Sequence, residues 1–324
     1  MNEPQEFLID MTLPAEERWQ DVIAACRRGA LKLARWTLSA LDRVPLSHLI
    51  RGAIAASHRR SECLYDDDLS AWAAGLGMPH RDLMAVNAAY ELAQFGDVKL
   101  ASAAVIAASP VLGMVHGRTL AWDMKGAGES TIVYHFVGCP LEYMSVALPG
   151  MVGVISGMGP GRFSIALAHA TPQGRPTLDW SPQILARHVL ETARTYDEAV
   201  SKLCETPLRS PGIFTVAGAD GQRACVVERT HKTSAVRELA DGLLLASNHY
   251  ISPALAQYNT TPALLDLSKA QVRAAKKAID GLRLDRLGDL FTVLDSASLT
   301  TENTCQQVAF APAEGLYWAV ARST

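Results

Sequence analysis

The chain has 324 residues, of which 49% are hydrophobic and 19% are charged. This hydrophobic share is typical of a globular protein and excludes an intrinsically disordered chain. The 30 Lys and Arg against 33 Asp and Glu give a net charge of −3. That charge argues against a nucleic-acid-binding protein, which normally carries a clear basic excess. Six scattered cysteines without a CxxC pair offer neither a structural zinc site nor a disulfide framework.

The sequence carries no recognisable targeting signal. Its first residues, MNEPQEFLID, are acidic, whereas a secretory signal is basic, then apolar, then rich in small residues. The longest weakly polar stretch, residues 100–108, has the length of a strand and is far short of the roughly 20 residues that a membrane-spanning helix needs. These features predict a cytoplasmic protein with reduced cysteines.

The first third of the chain is predicted to be helical. Pro14 and the acids after it suit the first turn of a helix. Over residues 26–41, apolar side chains recur at nearly helical spacing between basic ones. This basic helix carries Trp36, and it could either lie on a membrane surface or pack on the domain with its basic residues in solvent. Further helices are predicted at 46–57, 66–76 and 81–92.

After Gly96 the sequence favours short strands between Gly- and Pro-rich turns. The predicted strands are 102–108, 113–122, 130–137, 150–156, 162–169, 212–218, 224–229, 234–238, 242–246, 306–310 and 316–321. The predicted helices are 181–204, 268–281 and 284–294. This order suits an antiparallel sheet sandwich that is covered by helices.

Generic catalytic motifs are missing from the sequence. It contains no GxSxG, no Walker loop, no HExxH and no GxGxxG that opens a helix after a strand. The glycine-rich residues 157–161 include a proline, which removes one amide, and no lysine follows them. We interpret this segment as a turn that does not bind phosphate, and we expect neither a metal nor a cofactor.

The informative segment is residues 86–122, which read VNAAYELAQFGDVKLASAAVIAASPVLGMVHGRTLAW. It resembles the acid ceramidase and N-acylethanolamine acid amidase family, relatives of the choloylglycine hydrolases among the N-terminal-nucleophile (Ntn) hydrolases. In that family, a helix that ends in N…YEL precedes a Cys-Thr-Ser-Ile-Val strand, and a His-Gly-Arg strand follows. Further similar blocks occur in the family's order at residues 13–19, 149–164, 192–199 and 247–250.

The resemblance implies an α+β fold, the αββα sandwich of Ntn hydrolases with a helical N-terminal segment. Residues 1–101 would correspond to the family's small subunit, and residues 102–324 to its large subunit. The family's nucleophilic cysteine falls on Ser102, which is 16 residues before Arg118. In such enzymes the peptide bond before the nucleophile is cleaved autocatalytically. The new α-amino group, with a pKa of about 8, then serves as the general base.

Three interpretations of Ser102 remain open: a weaker nucleophile than a thiol, an ordinary small strand residue, or a serine substituted for a natural cysteine. The resemblance also implies roles for two further residues. Arg118 would orient the nucleophile strand and the substrate carbonyl through its guanidinium. The side-chain NH₂ of Asn248 would donate to the tetrahedral oxyanion.

The sequence departs from the family at both of its site carboxylates. The family aspartate that receives the nucleophile's amine falls on Ala121, and Asp123 could replace it only after a backbone shift of two residues. The family glutamate falls on His169, which is either a substitute polar group or a strand-end residue. The expected later arginine falls near Thr260, with Lys269 and Arg273 as the nearby cations.

The resulting hypothesis is hydrolysis of an amide bond in an N-acyl lipid or small molecule, with Ser102, Arg118, Asn248, His169 and Asp123 as candidate catalytic residues. The acyl chain would lie in an apolar groove near Met151 and Phe163, and peripheral membrane contact would fit such a substrate. Acyl transfer from the same acyl-enzyme to an acceptor other than water is a second hypothesis. The third is an unprocessed, inactive chain that binds lipid or a partner protein. The sequence predicts no oligomeric state.

Overall fold

The computed structural model describes residues 2–92, 100–124, 127–170, 176–259, 262–296 and 299–322. Its helices are α1 (Ala15–Arg18), α2 (Gln20–Asp42), α3 (Ser47–Arg60), α4 (Asp66–Leu76), α5 (His80–Asn87), α6 (Ala89–Leu92), α7 (Pro182–Thr192), α8 (Tyr196–Glu205), α9 (Pro262–Ile279) and α10 (Leu287–Leu294). Its strands are β1 (Gln5–Asp10), β2 (Leu100–Ser109), β3 (Gly113–Trp122), β4 (Ile132–Val137), β5 (Tyr143–Ala147), β6 (Ser156–Gly159), β7 (Phe163–His169), β8 (Gly212–Gly218), β9 (Ala224–Arg229), β10 (Ser234–Glu238), β11 (Leu243–Ala246), β12 (Thr304–Ala311) and β13 (Leu316–Ala321).

The strands form two sheets that pack against each other. The larger sheet has the order β1-β4-β5-β6-β7-β8-β9-β10, and the smaller one has the order β11-β2-β3-β12-β13. β1 pairs with β4 in parallel, and the other pairs are antiparallel. β2 and β3 contact β7 and β8 across the interface, while α9 and α10 cover the smaller sheet and α7 and α8 cover the larger. This is the αββα sandwich that the sequence predicts.

The close packing of α10 on the smaller sheet depends on a glycine in β3. A Cβ atom on Gly117 would lie 2.8 Å from Leu290 Cδ2, which is closer than side chains approach each other. The glycine of the His-Gly-Arg segment therefore lets α10 approach the strand that carries Arg118.

The N-terminal segment shares one hydrophobic core with the rest of the chain. Trp19 is fully buried and meets Trp72 and Tyr134 at ring-centroid distances of 5.7 and 5.1 Å. On α2, Trp36 packs edge-on against Trp122 at 5.9 Å. The indole of the basic helix thus lies against the domain, as in the second of the two interpretations of that helix. No helix of the described residues is long and apolar enough to cross a bilayer.

A buried ion pair also joins the N-terminal helices to the core. Asp68 on α4 is fully buried and lies 2.8 Å from the guanidinium of Arg187 on α7. The other carboxylate oxygen of Asp68 accepts hydrogen bonds from Arg18 and from the indole N–H of Trp19. Burial raises the pKa of Asp68, but the two arginines outweigh it and hold the pKa below its usual value. Asp68 is therefore charged in the interior.

Most predicted elements are present, but several differ from the prediction. The strand predicted at 150–156 is wrong, because those residues form a loop that ends where β6 begins, and β5 was not predicted. The long helix predicted at 181–204 is two helices, since Ala193 adopts an extended backbone between them. β1 was not predicted either, because its stability comes from pairing with β4, more than 120 residues away in the chain.

Candidate active site

Ser102 lies inside the sandwich, as the third residue of β2. Its side chain is buried, and the residue pairs with Leu120 on β3. The hydroxyl donates a hydrogen bond to the carbonyl oxygen of Thr119 at 3.1 Å and accepts one from Arg118 Nε at 3.1 Å. The Ser102 oxygen is therefore held on one side by a neutral acceptor and on the other by a cation.

Arg118 lies on β3 and places its charge beside this oxygen. Besides Ser102, its guanidinium donates to Ser156 Oγ at 2.8 Å and to the carbonyl oxygen of Leu167 at 3.1 Å. Burial lowers the pKa of Arg118, although a guanidinium stays protonated in proteins. No carboxylate of the described residues forms an ion pair with it. A buried cation of this kind favours negative charge on a neighbouring oxygen.

The segment after β11 holds both backbone groups of Ser102. Asn248 Oδ1 accepts the Ser102 N–H at 2.8 Å, and the Ser247 hydroxyl donates to the Ser102 carbonyl oxygen at 2.9 Å. The segment is itself anchored, because the Asn248 N–H donates to Ser268 Oγ on α9 at 2.8 Å. Ser247 and Asn248 therefore fix the backbone of Ser102 on both sides.

Glu228 on β9 holds the next turn of the same segment. Its carboxylate accepts the backbone N–H groups of Ile251 and Ser252 at 2.9 and 3.0 Å. It also pairs with Arg237 on β10 at 2.7 Å. Because Glu228 is fully buried, this charge-assisted network leaves the segment little freedom, and it keeps Asn248 in place.

The amide NH₂ of Asn248 is engaged by His169 at the end of β7. It lies 2.9 Å from His169 Nδ1 and 2.8 Å from the His169 carbonyl oxygen. Burial, and then the charge of Arg118, lower the pKa of His169 to about 4. The imidazole is therefore neutral near pH 7, and its Nδ1 accepts. With both amide hydrogens committed to His169, this arrangement does not offer the donation from Asn248 to an oxyanion that the sequence predicts.

Tyr90 brings the N-terminal segment into contact with the site. Its hydroxyl donates to the Leu167 carbonyl oxygen at 2.8 Å, the same oxygen that accepts from Arg118. Its ring meets the imidazole of His169 edge-on, with 6.4 Å between the ring centroids. The neighbouring Glu91 forms a bidentate ion pair with Arg209. Tyr90 is thus the residue of the Tyr-Glu-Leu segment that contacts the site.

Asp123 does not belong to the site. Ala101 pairs with Ala121 and Leu100 with Trp122 without a shift in register, so the two-residue displacement that would bring Asp123 in does not occur. Asp123 follows the end of β3 and is exposed. Lys269 and Arg273 are also exposed, on α9, and Thr260 lies outside the described residues.

Met151 and Phe163 lie in the interior of the protein. Both are buried in the main hydrophobic core, 2% and 0% exposed. Phe163 begins the strand that His169 ends, so the two residues are about 20 Å apart at about 3.3 Å per residue. Two open clefts of about 670 and 570 Å³ lie elsewhere, one beside Arg28 and the other beside Lys276, and neither includes Met151 or Phe163. The burial of both side chains gives no support to an acyl groove at these residues, and that groove stays a prediction.

Four of the candidate residues, Ser102, Arg118, Asn248 and His169, lie together in the structure, and their catalytic roles stay predictions, while the residues that support them were not predicted. Ser156, Ser247 and Tyr90 fell within segments noted for the resemblance, yet they received no role. A signal for Ser156 was its small polar side chain inside an apolar, glycine-rich block. No three His, Cys, Asp or Glu side chains of the described ranges come together in a way that could hold a metal ion.

The buried histidines predict a loss of stability in acid. Burial, and then Arg118, lower the pKa of His169 to about 4 and that of His116 to about 3. In the unfolded chain both histidines protonate near the ordinary value of 6.5. Between those values the unfolded state binds more protons, so stability falls as the pH falls below about 6.5. We expect thermal unfolding at about pH 4.5 to occur several degrees below that at about pH 7.5.

The control for this prediction is His116→Gln. His116 contacts Ser164 Oγ and Thr215 Oγ1, both at 2.9 Å, and neither of these partners hydrogen-bonds to Ser102. A glutamine there should lower stability at neutral pH and weaken its dependence on acid. Equal unfolding temperatures at both pH values for the unaltered protein would contradict the burial of two neutral imidazoles.

Comparison with known proteins places this geometry in context. A family model of acyl-coenzyme A:6-aminopenicillanic acid acyl-transferase matches residues 134–280. The N-acylethanolamine-hydrolyzing acid amidase of Caenorhabditis elegans is 25% identical over 251 residues, which cover 72% of this chain and 69% of that protein. An acid ceramidase of Mus musculus is 23% identical over 261 residues, which cover 70% of this chain and 64% of that protein.

A solved structure supports the fold independently of these alignments. The Caenorhabditis elegans ortholog of N-acylethanolamine-hydrolyzing acid amidase superposes with a TM-score of 0.53 at 20% sequence identity. The superposition covers 67% of this chain and 99% of that chain. The two chains therefore share the Ntn-hydrolase sandwich that the sheet order already indicates.

Proposed function

We propose that this chain, which is similar to an N-acylethanolamine-hydrolyzing acid amidase and to acid ceramidases, belongs with these proteins among the Ntn hydrolases and is an amide hydrolase. It would cleave its own chain before Ser102 and then hydrolyse a linear amide bond in an N-acyl lipid or a related N-acyl small molecule. The observation that carries this proposal is the contact between Ser102 Oγ and the buried guanidinium of Arg118. A cytoplasmic location and peripheral membrane contact remain predictions from the sequence.

Self-cleavage would begin with attack of Ser102 Oγ on the carbonyl carbon of Ala101. The C–N bond breaks, the hydroxyl proton passes to the Ser102 nitrogen, and an ester joins the two residues. Water then hydrolyses the ester, which leaves a carboxylate on Ala101 and a free hydroxyl and amine on Ser102. The products have 101 and 223 residues.

Turnover would use the freed amine as the general base. The amine takes the proton of Ser102 Oγ while the oxygen bonds to the substrate carbonyl carbon. The substrate C–N bond breaks, the leaving nitrogen takes the proton, and water hydrolyses the acyl ester. Arg118 faces the oxygen on which charge develops, and its field would stabilise both the alkoxide and the tetrahedral oxyanion.

Acyl transfer is the second candidate function. It is favoured by the match of residues 134–280 to a family model of an acyl-transferase. The acyl-enzyme on Ser102 would be the same, and an amine or alcohol would replace water in the second half of the reaction. The ratio of transfer product to free acid in the presence of an added amine distinguishes the two.

The experiment that tests the proposal starts with the intact mass of the purified protein after incubation. We expect two fragments, and N-terminal sequencing of the larger one should begin at Ser102. A panel of N-acyl amides with different chains and head groups, each with and without an added amine, then identifies hydrolysis or transfer. A chain that stays whole and releases no product would instead support the unprocessed, lipid- or partner-binding hypothesis.

The two products of cleavage should remain together. The pairing of β1 with β4, the ion pair of Asp68 with Arg187 and the pair of Glu91 with Arg209 all join residues 1–101 to residues 102–324. We expect both fragments to elute as one species in size-exclusion chromatography and to separate only in denaturant. Separation in native buffer would contradict a shared core.

A further inference from the structure

The nitrogen of Ser102 faces an unusual acceptor for a group that would become an amine. It is the amide oxygen of Asn248, at 2.8 Å. A backbone N–H can only donate, so the atom that faces it has to be the oxygen, which leaves the NH₂ group to point at His169. The orientation of the amide is therefore fixed by two independent partners, Ser102 on one side and His169 on the other.

No carboxylate of the described residues reaches this nitrogen. Ala121 faces Ala101 across the strand pair with a methyl group, and Asp123 is exposed beyond the end of β3. Ala121 occupies the position at which the resemblance places a carboxylate, and this position is buried, with Ala121 7% exposed. Asn248 is thus the polar side chain that the structure sets against the Ser102 nitrogen.

We propose that Asn248, positioned by His169, receives the amine freed at Ser102, so that a neutral amide takes the place of a carboxylate. This inference rests on the proposed function, because the amine exists only after cleavage. His169 is a positioning residue here: it acts through Asn248, and its Nδ1 and its carbonyl oxygen together hold the amide with its oxygen toward Ser102.

The charge around Ser102 gives this arrangement a chemical consequence. Arg118 contacts the Ser102 oxygen, and the titratable groups that interact with Arg118 include His169, Tyr90 and Cys305. Of these four groups only the arginine is charged near pH 7. A neighbouring cation and burial both disfavour an ammonium group, whereas a carboxylate would favour one. The amine would therefore be the free base at a pH below the ordinary value of about 8.

His169 has to be neutral for this role. An imidazolium would present an N–H to the NH₂ of Asn248, so that two donors would face each other. The amide could then turn over and donate its NH₂ to the lone pair of the freed amine, which would occupy the pair that has to take the Ser102 Oγ proton. Activity that needs the amide oxygen at this nitrogen therefore needs an unprotonated His169.

The first test is the acid limb of the pH profile of kcat/KM for the cleaved protein with an N-acyl amide as substrate. Ala121→Asp places a carboxylate near the amine and should move the limb to higher pH by about one unit or more. Ala121→Asn is the matched control, similar in size but uncharged, and should leave the limb in place. A limb that stays put, or moves to lower pH, in Ala121→Asp would overturn the inference.

Asn248→Asp is the second variant, in case an aspartate at position 121 prevents folding. It places the charge on the acceptor itself and should shift the acid limb in the same direction. An unshifted limb in a cleaved Asn248→Asp protein would equally overturn the inference. If the unaltered chain is never cleaved before Ser102, the proposed function fails and this inference fails with it. If it is cleaved and active but the limb does not move in either one of the folded, cleaved aspartate variants, the inference alone fails.

The role of His169 is tested by comparing His169→Leu with His169→Gln. Leucine removes the acceptor at Nδ1, and we expect kcat to fall about tenfold with little change in KM. Glutamine can present an oxygen to Asn248 and should restore most of the rate. His116→Leu is the control, a buried histidine away from Ser102, and it should lower stability without this rescue pattern. Equal rates for leucine and glutamine at position 169 would show that His169 does not position Asn248.

Discussion

Replacement of the proposed nucleophile, Ser102→Ala, is expected to leave the chain uncleaved and to reduce amide hydrolysis by about four orders of magnitude or more. The reason is that the Ser102 oxygen is the attacking atom in both self-cleavage and turnover. Intact mass reports the first reaction, and release of free acid from an N-acyl amide reports the second. Folding should be nearly unaffected, because among the described residues the hydroxyl makes two hydrogen bonds, one of them to a backbone carbonyl.

Two further serine variants serve as a comparison and a control for Ser102→Ala. Ser102→Cys supplies a thiol, which is partly ionised at neutral pH, and it should cleave itself and its substrate faster than the serine form. Ser109→Ala is the matched control on the same strand, where the hydroxyl bonds to the carbonyl oxygen of Leu284 at 2.5 Å. It should lower stability and leave cleavage intact. A Ser102→Ala chain that is still cut before residue 102 would contradict the assignment of the nucleophile.

Asp68→Ala should cause the largest loss of stability, about 3–5 kcal/mol in the free energy of unfolding. The substitution removes the carboxylate that lies 2.8 Å from Arg187 and leaves a fully buried guanidinium without this partner. Denaturant titration followed by fluorescence measures the change. Trp19, which donates to the same carboxylate, is a suitable reporter.

A double variant separates the buried charge from the lost contacts. Combining Asp68→Ala with Arg187→Met removes both charges, so the pair should be less destabilised than the sum of the two single changes. The surface carboxylate Asp197, which pairs with the exposed Arg223, provides a control: Asp197→Ala should change stability little. A strictly additive double variant would show that Asp68 and Arg187 do not act as a pair.

Local sequence patterns predicted the strands well where each strand has a clear turn on both sides. Gly113–Trp122 and Gly212–Gly218 have the bounds that the turns indicated. β5 was not predicted because all five of its residues are buried. Its sequence therefore shows none of the alternation of apolar and polar residues that marks a half-exposed strand. β1 was not predicted for a different reason. Its partner, β4, lies far along the chain, and no local sequence pattern indicates such a pairing.

The candidate site was predictable in composition but not in orientation. The spacing of Ser102 and Arg118 places them on adjacent strands, and the structure brings their side chains to 3.1 Å. Nothing in the sequence indicates which way the amide of Asn248 points, because that depends on a histidine from the opposite sheet. Whether Asp123 reaches the site likewise depends on the strand register, which is set by pairing along the whole of β2 and β3.

β1 lies at one edge of the larger sheet, and this position bears on whether folding or the proposed self-cleavage comes first. A chain that began at Ser102 would leave β4 as an unprotected sheet border, and such borders recruit other strands and promote aggregation. Residues 1–101 would therefore act as a built-in folding template for the rest of the chain. Separate synthesis of residues 1–101 and 102–324 should yield insoluble material, and the proposed self-cleavage would have to follow folding.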